Sequence, residues 1–313
     1  MIMDHLKVKI DPFPFQIEHG DSILLIGSCF SEEVHAQFRK HGFKSVSNPF
    51  GTVFHPAPLA RFITETLQGS VDERILQRED VFLSWDASSL IYAMSEKEVR
   101  SKLEQIRSAW KTKLTSSNHI FITLGSSWGY LHKDQQLLVA NCHKFPPHHF
   151  EKTLSRVDEI VKCLKDAYHA IKSVNTKVNI IFTVSPVRHM RDGLVENTRS
   201  KSILHLAVQE MLELPGCYYF PSFELMIDEL RDYRYYTEDM IHPNNQAVEQ
   251  IWRSVSHSFF SEETTRLSAK VASLKSAGTH KLMFPDSQEA KRFTEKLQKE
   301  IEVFQDQYPE IIW

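Results

Sequence analysis

Ile23-Leu24-Leu25-Ile26-Gly27-Ser28-Cys29-Phe30-Ser31-Glu32-Glu33-Val34 is the stretch on which the fold turns. Its consecutive apolar residues, closed by a glycine, are too few for a buried helix and match a strand covered on both faces. Ser31, two glutamates and then Val34 and Phe38, four apart, read as a capped helix start and predict a helix over 31–41. Gly27 to Phe30 then forms a very short turn leaving the strand's C-terminal end. In open α/β sheets ligands bind there, and the following helix offers unbonded N–H groups and a positive dipole end to an anion. A thiol in that position has its thiolate stabilised, so Cys29 is a candidate nucleophile. The plainer reading is a small buried cysteine beside a tight turn.

Working outward, the same alternation repeats. The N-terminal segment, with Leu6, Val8 and Ile10 alternating, predicts an edge strand. Residues 43–46 predict a second strand, and 58–67 a helix with Leu59, Phe62, Ile63 and Leu67 on one face. Short apolar runs at 81–83 and 90–92 predict an inserted hairpin. A charged amphipathic helix over 96–116 leads to the apolar strand 120–124, closed by Gly125. A strand at 137–140, a helix over 154–174 and the buried strand 178–184 follow. A helix over 201–212 and a strand near 218–221 complete the series. Apolar strands alternating with long helices argue for a three-layer α/β/α domain with a parallel sheet, here over 1–260. Beyond it, 262–275 and 287–306 are charged helix formers that read as a C-terminal helical hairpin over 261–313, packing on the domain or on a second copy as a homodimer.

Composition narrows the function classes. With 313 residues, 42% hydrophobic and 25% charged, the chain can bury a large core of ordinary globular type. A net charge of -3 gives no electrostatic case for nucleic acid or an anionic membrane. No apolar run reaches membrane-spanning length, and the first residues lack the pattern of a signal peptide. The cysteines Cys29, Cys142, Cys163 and Cys217 are widely spaced, without a CxxC pair, so the expectation is a reducing, cytoplasmic setting.

Late in the chain stands Tyr236-Thr237-Glu238-Asp239-Met240-Ile241-His242-Pro243-Asn244. Asp239 and His242 are three apart, with Pro243 at an expected helix start. That spacing lets the carboxylate accept the imidazole Nδ1–H and leaves Nε2 as a base. Alone, Asp-x-x-His is a common pattern.

A nucleophile turn after the first strand, a glycine loop after the second and a late Asp-x-x-His together resemble the SGNH hydrolases, or GDSL-type esterases. Within that superfamily, Gly27-Ser28-Cys29-Phe30 is similar to the signature of the GSCFA-domain family of bacterial proteins. Asn48-Pro49-Phe50-Gly51, the block from Val139 to Pro146, and Ser185-Pro186-Val187-Arg188 are similar to further blocks of that family. The resemblance covers about residues 20–255 and implies a flavodoxin-like SGNH fold.

It also implies roles. Gly27-Ser28-Cys29 falls on Gly-Asp-Ser, which puts Cys29 in the nucleophile position and Ser28 where the esterases have Asp; Ser28 stands as the alternative nucleophile. His242 is the base and Asp239 its orienter. Gly51 matches the second oxyanion donor, and Ser127 stands where the esterases have Asn. A hydroxyl is a less fixed dipole than an amide, and losing one oxyanion donor costs on the order of 100–1,000-fold in rate. Trp128 or Asn141 are the substitutes for that donor. The implied activity is hydrolysis of an acyl ester, or acyl transfer, on a small-molecule or carbohydrate substrate such as a cell-envelope precursor, with no cofactor.

Other residues carry paired readings. Asn141, Cys142 and His143 line the pocket by family resemblance. With Cys29 and His242, Cys142 and its neighbouring histidine would make a metal-dependent enzyme, an alternative without any short ligand spacing behind it. Arg188 either grips a substrate carboxylate or phosphate or sits in a surface salt bridge. Trp85, Trp128 and Tyr130 either stack on a sugar ring or pack. A non-catalytic binding module on the same fold is the remaining rival.

Overall fold

In the computed structural model, residues 6–69, 71, 73–279 and 283–313 are described. The chain alternates as the apolar runs require. β1 (Ser22–Gly27), α1 (Phe30–Lys40), β2 (Lys44–Ser47) and α2 (Pro56–Gln68) precede a hairpin of β3 (Ile75–Arg78) and β4 (Val81–Ser84). α3 (Glu96–Ser116) leads to β5 (His119–Leu124), and an antiparallel insertion follows, β6 (Trp128–His132), β7 (Leu137–Leu138) and β8 (Phe150–Leu154). Then come α4 (Val157–Val174), β9 (Asn179–Val184), α5 (Leu194–Met211) and β10 (Cys217–Tyr219). A short turn, α6 (Ser222–Glu224), precedes α7 (Asn245–Phe259), α8 (Glu262–Thr279) and α9 (Gln288–Gln307).

The central sheet has five strands in the order β10-β9-β5-β1-β2, and its pairs are all parallel. Counted in order of appearance this is 2-1-3-4-5, the flavodoxin-like winding, whose crevice opens at the strands' C-terminal ends. Register keeps like with like: Leu24 faces Val46 on one side and Ile120 on the other, and Ile120 faces Ile180. Alternation then sorts the side chains into two layers. Leu24, Ile26, Ile120, Ile122, Ile180 and Phe182 pack with α2, α3, α4 and α5. Ile23, Leu25, Phe121 and Ile181 pack beneath α1 and α7. The α/β/α architecture read from the sequence is the one observed.

Several local expectations are corrected. The N-terminal segment forms no strand among its described residues; Val8, Ile10, Phe13 and Phe15 pack instead as an apolar strap against the α7 side of the core. Ser31 does not cap α1. Cys29 holds the N-cap position, and Ser31 is buried in the first turn. Residues 90–92 form no strand, although Phe82 bridges to Ala93 beside the β3–β4 hairpin. β6 and β8 were not legible because they are short and half-exposed, and β8 ends on Leu154, where the expected helix was to begin; α4 starts at Val157. α5 begins at Leu194 rather than 201, its first turn carrying exposed Leu194 and Val195 that break the apolar stripe.

The C-terminal pair packs on the domain. Leu267 and Val271 of α8 bury against Ile311. Lys275 Nζ donates to the carbonyls of Arg39 (2.7 Å) and Ile312 (2.9 Å), and Ile312 N–H donates to Gly42 O at 2.8 Å. Among the described residues no helix is long and apolar enough to cross a membrane.

Candidate active site

The turn after β1 is built to a tight tolerance. Gly27 has φ +124°, and a Cβ there would stand 2.0 Å from the Thr123 carbonyl oxygen of β5. Only glycine allows that approach. Ser28 N–H donates to the same carbonyl at 3.0 Å. Asn48, at the end of β2, clamps the turn from the other side: its Oδ1 accepts Gly27 N–H at 2.8 Å and its Nδ2 donates to Glu32 at 2.7 Å. Val53 N–H closes the wrap on Gly27 O at 3.0 Å. Asn48 carries no chemistry in the sequence reading; its signal was its place in the Asn-Pro-Phe-Gly block.

The two nucleophile candidates point differently. Ser28 is 1% exposed and its hydroxyl has no hydrogen-bond partner. Cys29 is half-buried at the N-cap of α1. Burial pushes its thiol up from the ordinary value, against the smaller opposing pull of the Lys201 charge and of the backbone at the start of α1.

The expected oxyanion donors are not free. Gly51, at φ +76°, donates its N–H to Asn48 O at 2.8 Å. Ser127 is fully buried; its hydroxyl donates to Ser200 O at 3.1 Å and its N–H to Ser200 Oγ at 2.8 Å. Trp128 Nε1 turns toward Glu196 O at 3.4 Å, and Asn141 Oδ1 accepts the His143 N–H at 2.8 Å. The loop after β5 is thus fixed from behind by α5, the helix that also brings Lys201.

The Asp239–His242 turn has the geometry its spacing implied. Asp239 Oδ2 lies 2.7 Å from His242 Nδ1. Asp239 Oδ1 accepts the N–H groups of Ile241 (2.8 Å) and His242 (3.0 Å) and the Thr237 hydroxyl (2.7 Å). Those bonds hold the carboxyl well below the usual carboxylate range. Both side chains are about half exposed. The helix begins one step later than expected: Asn244, not Pro243, precedes it, accepting from Gln246 N (3.0 Å) and Ala247 N (3.1 Å).

This turn lies at the sheet's C-terminal edge. α7 runs from it to Phe259, whose carbonyl accepts the N–H of Ile17, ahead of β1, at the other end. Burial pushes the Tyr236 hydroxyl up from its ordinary value, and the charge of Arg188, in the loop after β9, pulls against it. His189 feels the charges of both His242 and Lys201, and burial draws it down to about 4. Among the described hydrogen bonds none joins His242 to Cys29.

Beside this edge, a cavity of about 690 Å³ opens between the insertion and the loop after β9. Phe54, Trp128, Tyr130, Cys142, Phe145 and His189 are among its walls; Cys29 and His242 are not. Asn141 also lines it, whereas Trp85 is core. His143 is 1% exposed, with Nε2 on Ser84 O (2.7 Å) and Nδ1 on Ser89 Oγ (2.9 Å), so it is a structural residue with both nitrogens engaged. Cys142 is pushed up to about 11 by burial. Among the described residues no group of three or more His, Cys, Asp or Glu is arranged to hold a metal ion.

The model of the GSCFA family matches residues 22–255, from the first residue of β1 to within α7. This chain belongs to the GSCFA family. No curated protein matches it. Among solved structures it is similar to an acetyl xylan esterase, Est2A, from the rumen bacterium Butyrivibrio proteoclasticus, at 10% identity and TM-score 0.39, over 76% of this chain and 63% of that one. It is also similar to a carbohydrate esterase family 3 protein from Talaromyces cellulolyticus, at 10% identity and TM-score 0.31, over 80% of this chain and 99% of that one. The chain thus spans 63% of the length of the first of these. In the GSCFA protein, the matched region carries every residue of the candidate site and stops before the α8–α9 extension.

Proposed function

We propose that the GSCFA protein transfers an acyl group from an ester to water or to an alcohol, with Cys29 as nucleophile, His242 as base and Asp239 as its orienter. The observation that carries this reading is the 2.7 Å Asp239–His242 pair at the sheet edge where Cys29 stands at the N-cap of α1. Cys29 sulfur attacks the ester carbonyl carbon as its proton passes to His242 Nε2; the S–C bond forms and a tetrahedral oxyanion results. Collapse breaks the C–O bond, and the alkoxide leaves with the proton from His242. Water or an alcohol then attacks the thioester, giving its proton to His242; the C–S bond breaks, the carboxylic acid or new ester leaves, and the proton returns from His242 to the Cys29 sulfur. The Cys29 N–H is the first oxyanion donor. Recruiting Gly51 N–H requires it to leave Asn48 O. His242 meets the sulfur through movement of its exposed turn, since catalytic contacts often tighten only around substrate.

The test is p-nitrophenyl acetate with intact-mass detection. A mass gain of one acetyl group on Cys29, lost in Cys29→Ala, together with turnover reduced at least 100-fold in His242→Ala, is expected. A second reading, a non-catalytic module, is favoured by one observation: the N–H of Gly51 and the hydroxyl of Ser127 are both engaged internally. Under that reading no acetyl adduct forms, and ligand binding survives His242→Ala.

A further inference from the structure

The cavity beside the candidate site has walls that the acyl-transfer chemistry does not use. Phe54, Trp128, Tyr130, Phe145 and Phe150 give it an aromatic lining, and about 690 Å³ is room for a small organic molecule. Charge is unevenly shared around it. Lys144, Lys152 and Arg191 line the cavity against one carboxylate, Asp192. That carboxylate is already bonded to Lys152, whose ammonium stands 4.5 Å from the centre of the Trp128 ring. Lys144 and Arg191, both solvent-exposed, have no carboxylate partner among the described residues.

The backbone that carries Lys144 is strained. His143 (φ +49°) and Lys144 (φ +57°) are consecutive non-glycine residues in left-handed backbone. Such backbone persists only where its surroundings over-determine it, and it gathers where ligands are held. Here Asn141 Oδ1 accepts His143 N–H at 2.8 Å, Arg78 donates to His143 O at 3.0 Å, and Phe145 N–H donates to Cys142 O at 2.8 Å. The buried His143 ring, bonded to Ser84 and Ser89, anchors the turn from within. Five bonds thus fix a turn whose neighbours Asn141, Cys142, Lys144 and Phe145 all line the cavity.

Another wall residue, His189, packs edge-to-face on Phe54 with ring centres 4.9 Å apart, and its Nε2 is buried without a hydrogen-bond partner among the described residues. Strand register ties the cavity to the nucleophile turn. Gly27 pairs with Thr123, so Cys29 and the wall residue Ser126 leave neighbouring strand ends. Phe54 O accepts the N–H groups of Gly125 and Ser126, each at 3.0 Å, and Phe54 follows Val53, whose N–H is bound to Gly27 O. We propose that this cavity binds a small molecule carrying an oxygen anion, phosphate or carboxylate, on a flat apolar body, with Lys144 and Arg191 pairing the anion and the aromatic lining receiving the body. That the bound molecule is the non-reacting part of the acyl substrate rests on the reading given above; the binding does not.

The test is calorimetric titration with probes of graded charge, on the full chain and on its Cys29→Ala variant. Phenyl phosphate and benzoate supply ring and anion together, benzyl alcohol the ring alone, and inorganic phosphate the anion alone. At least one aromatic anion is expected to bind about tenfold or more tightly than either benzyl alcohol or inorganic phosphate, and the tighter of the two identifies the anion. Its affinity should fall with added salt. Lys144→Gln and Arg191→Gln should each weaken it several-fold and leave benzyl alcohol unaffected, a pattern that general damage to the fold would not give. Three results overturn the proposal: benzyl alcohol or inorganic phosphate binding as tightly as both aromatic anions, aromatic-anion binding indifferent to both substitutions, or no binding of either anion up to about 10 mM. No arm needs turnover, so binding retained in Cys29→Ala beside a failed acetylation assay removes the acyl-transfer reading alone.

Discussion

His242 Nδ1 and Asp239 Oδ2 are 2.7 Å apart, while the other oxygen of Asp239 accepts from Ile241 N, His242 N and Thr237 Oγ1. The carboxylate therefore fixes both the imidazole and the backbone that carries it. Asp239→Asn is expected to lower acyl-transfer turnover at least 100-fold with little change in thermal midpoint, because an amide can present its N–H to the ring and favour the wrong tautomer. Because Asp239 is held well below the usual carboxylate range, its role persists at acid pH and the acid limb of the rate profile does not belong to it. A rate profile whose acid limb vanishes in Asp239→Asn contradicts this.

Ser28 and Cys29 are separable by stability as well as by reactivity. The Ser28 hydroxyl is buried without a partner, and such a group costs about 1–3 kcal/mol. Ser28→Ala is therefore expected to keep or raise the thermal midpoint and to retain acetyl labelling. Loss of labelling in folded Ser28→Ala would transfer the nucleophile to the hydroxyl.

Gly27 is expected to tolerate no side chain. A Cβ would meet the Thr123 carbonyl oxygen at 2.0 Å, and Thr123 is paired to Thr183 on its other side. The β1–β5 pairing has to open to admit a methyl group. Gly27→Ala should cost at least about 3 kcal/mol; a urea midpoint within error of the unaltered protein would refute it.

Acid should destabilise the fold through its buried histidines. His55 caps α2, accepting Ala57 N–H at 3.1 Å on Nδ1, and burial draws it down to about 4. An unfolded histidine titrates near 6.5, so between these values the unfolded chain binds a proton the folded chain refuses. Stability from this residue is complete above about pH 6.5 and falls by up to about 3 kcal/mol as the pH drops toward 4. His189, also drawn to about 4, acts in the same direction. His55→Asn keeps a capping oxygen without the titration and should flatten the fall of thermal midpoint between pH 7 and 4.5; an equally steep fall would assign the acid sensitivity elsewhere.

The residues that sequence reading found share one property: their signal is local. Four apolar residues and a glycine specify β1 and its turn, and the three-residue step from Asp239 to His242 specifies their hydrogen bond, because both depend only on neighbouring backbone. Ser127 and Gly51 were misjudged because a donor's availability depends on what else reaches it. Ser200 and Asn48, more than seventy residues away in one case and in the same loop in the other, had already taken those bonds. Lys201 did leave a trace, a charge on the apolar stripe of α5, but its reading required a partner.

By itself, then, the amino-acid order determined the alternating strands and helices, the layer each side chain enters, and the residue types able to do acyl chemistry. Periodicity and short-range hydrogen bonding carry that much. Only the folded chain decided that Cys29 is partly exposed while Ser28 is sealed, that the presumed donors are occupied, and that a buried ammonium ties the ends of β5 and β9. Those outcomes come from competition among groups far apart along the chain for the same few buried bonds, and no stretch of sequence holds both competitors.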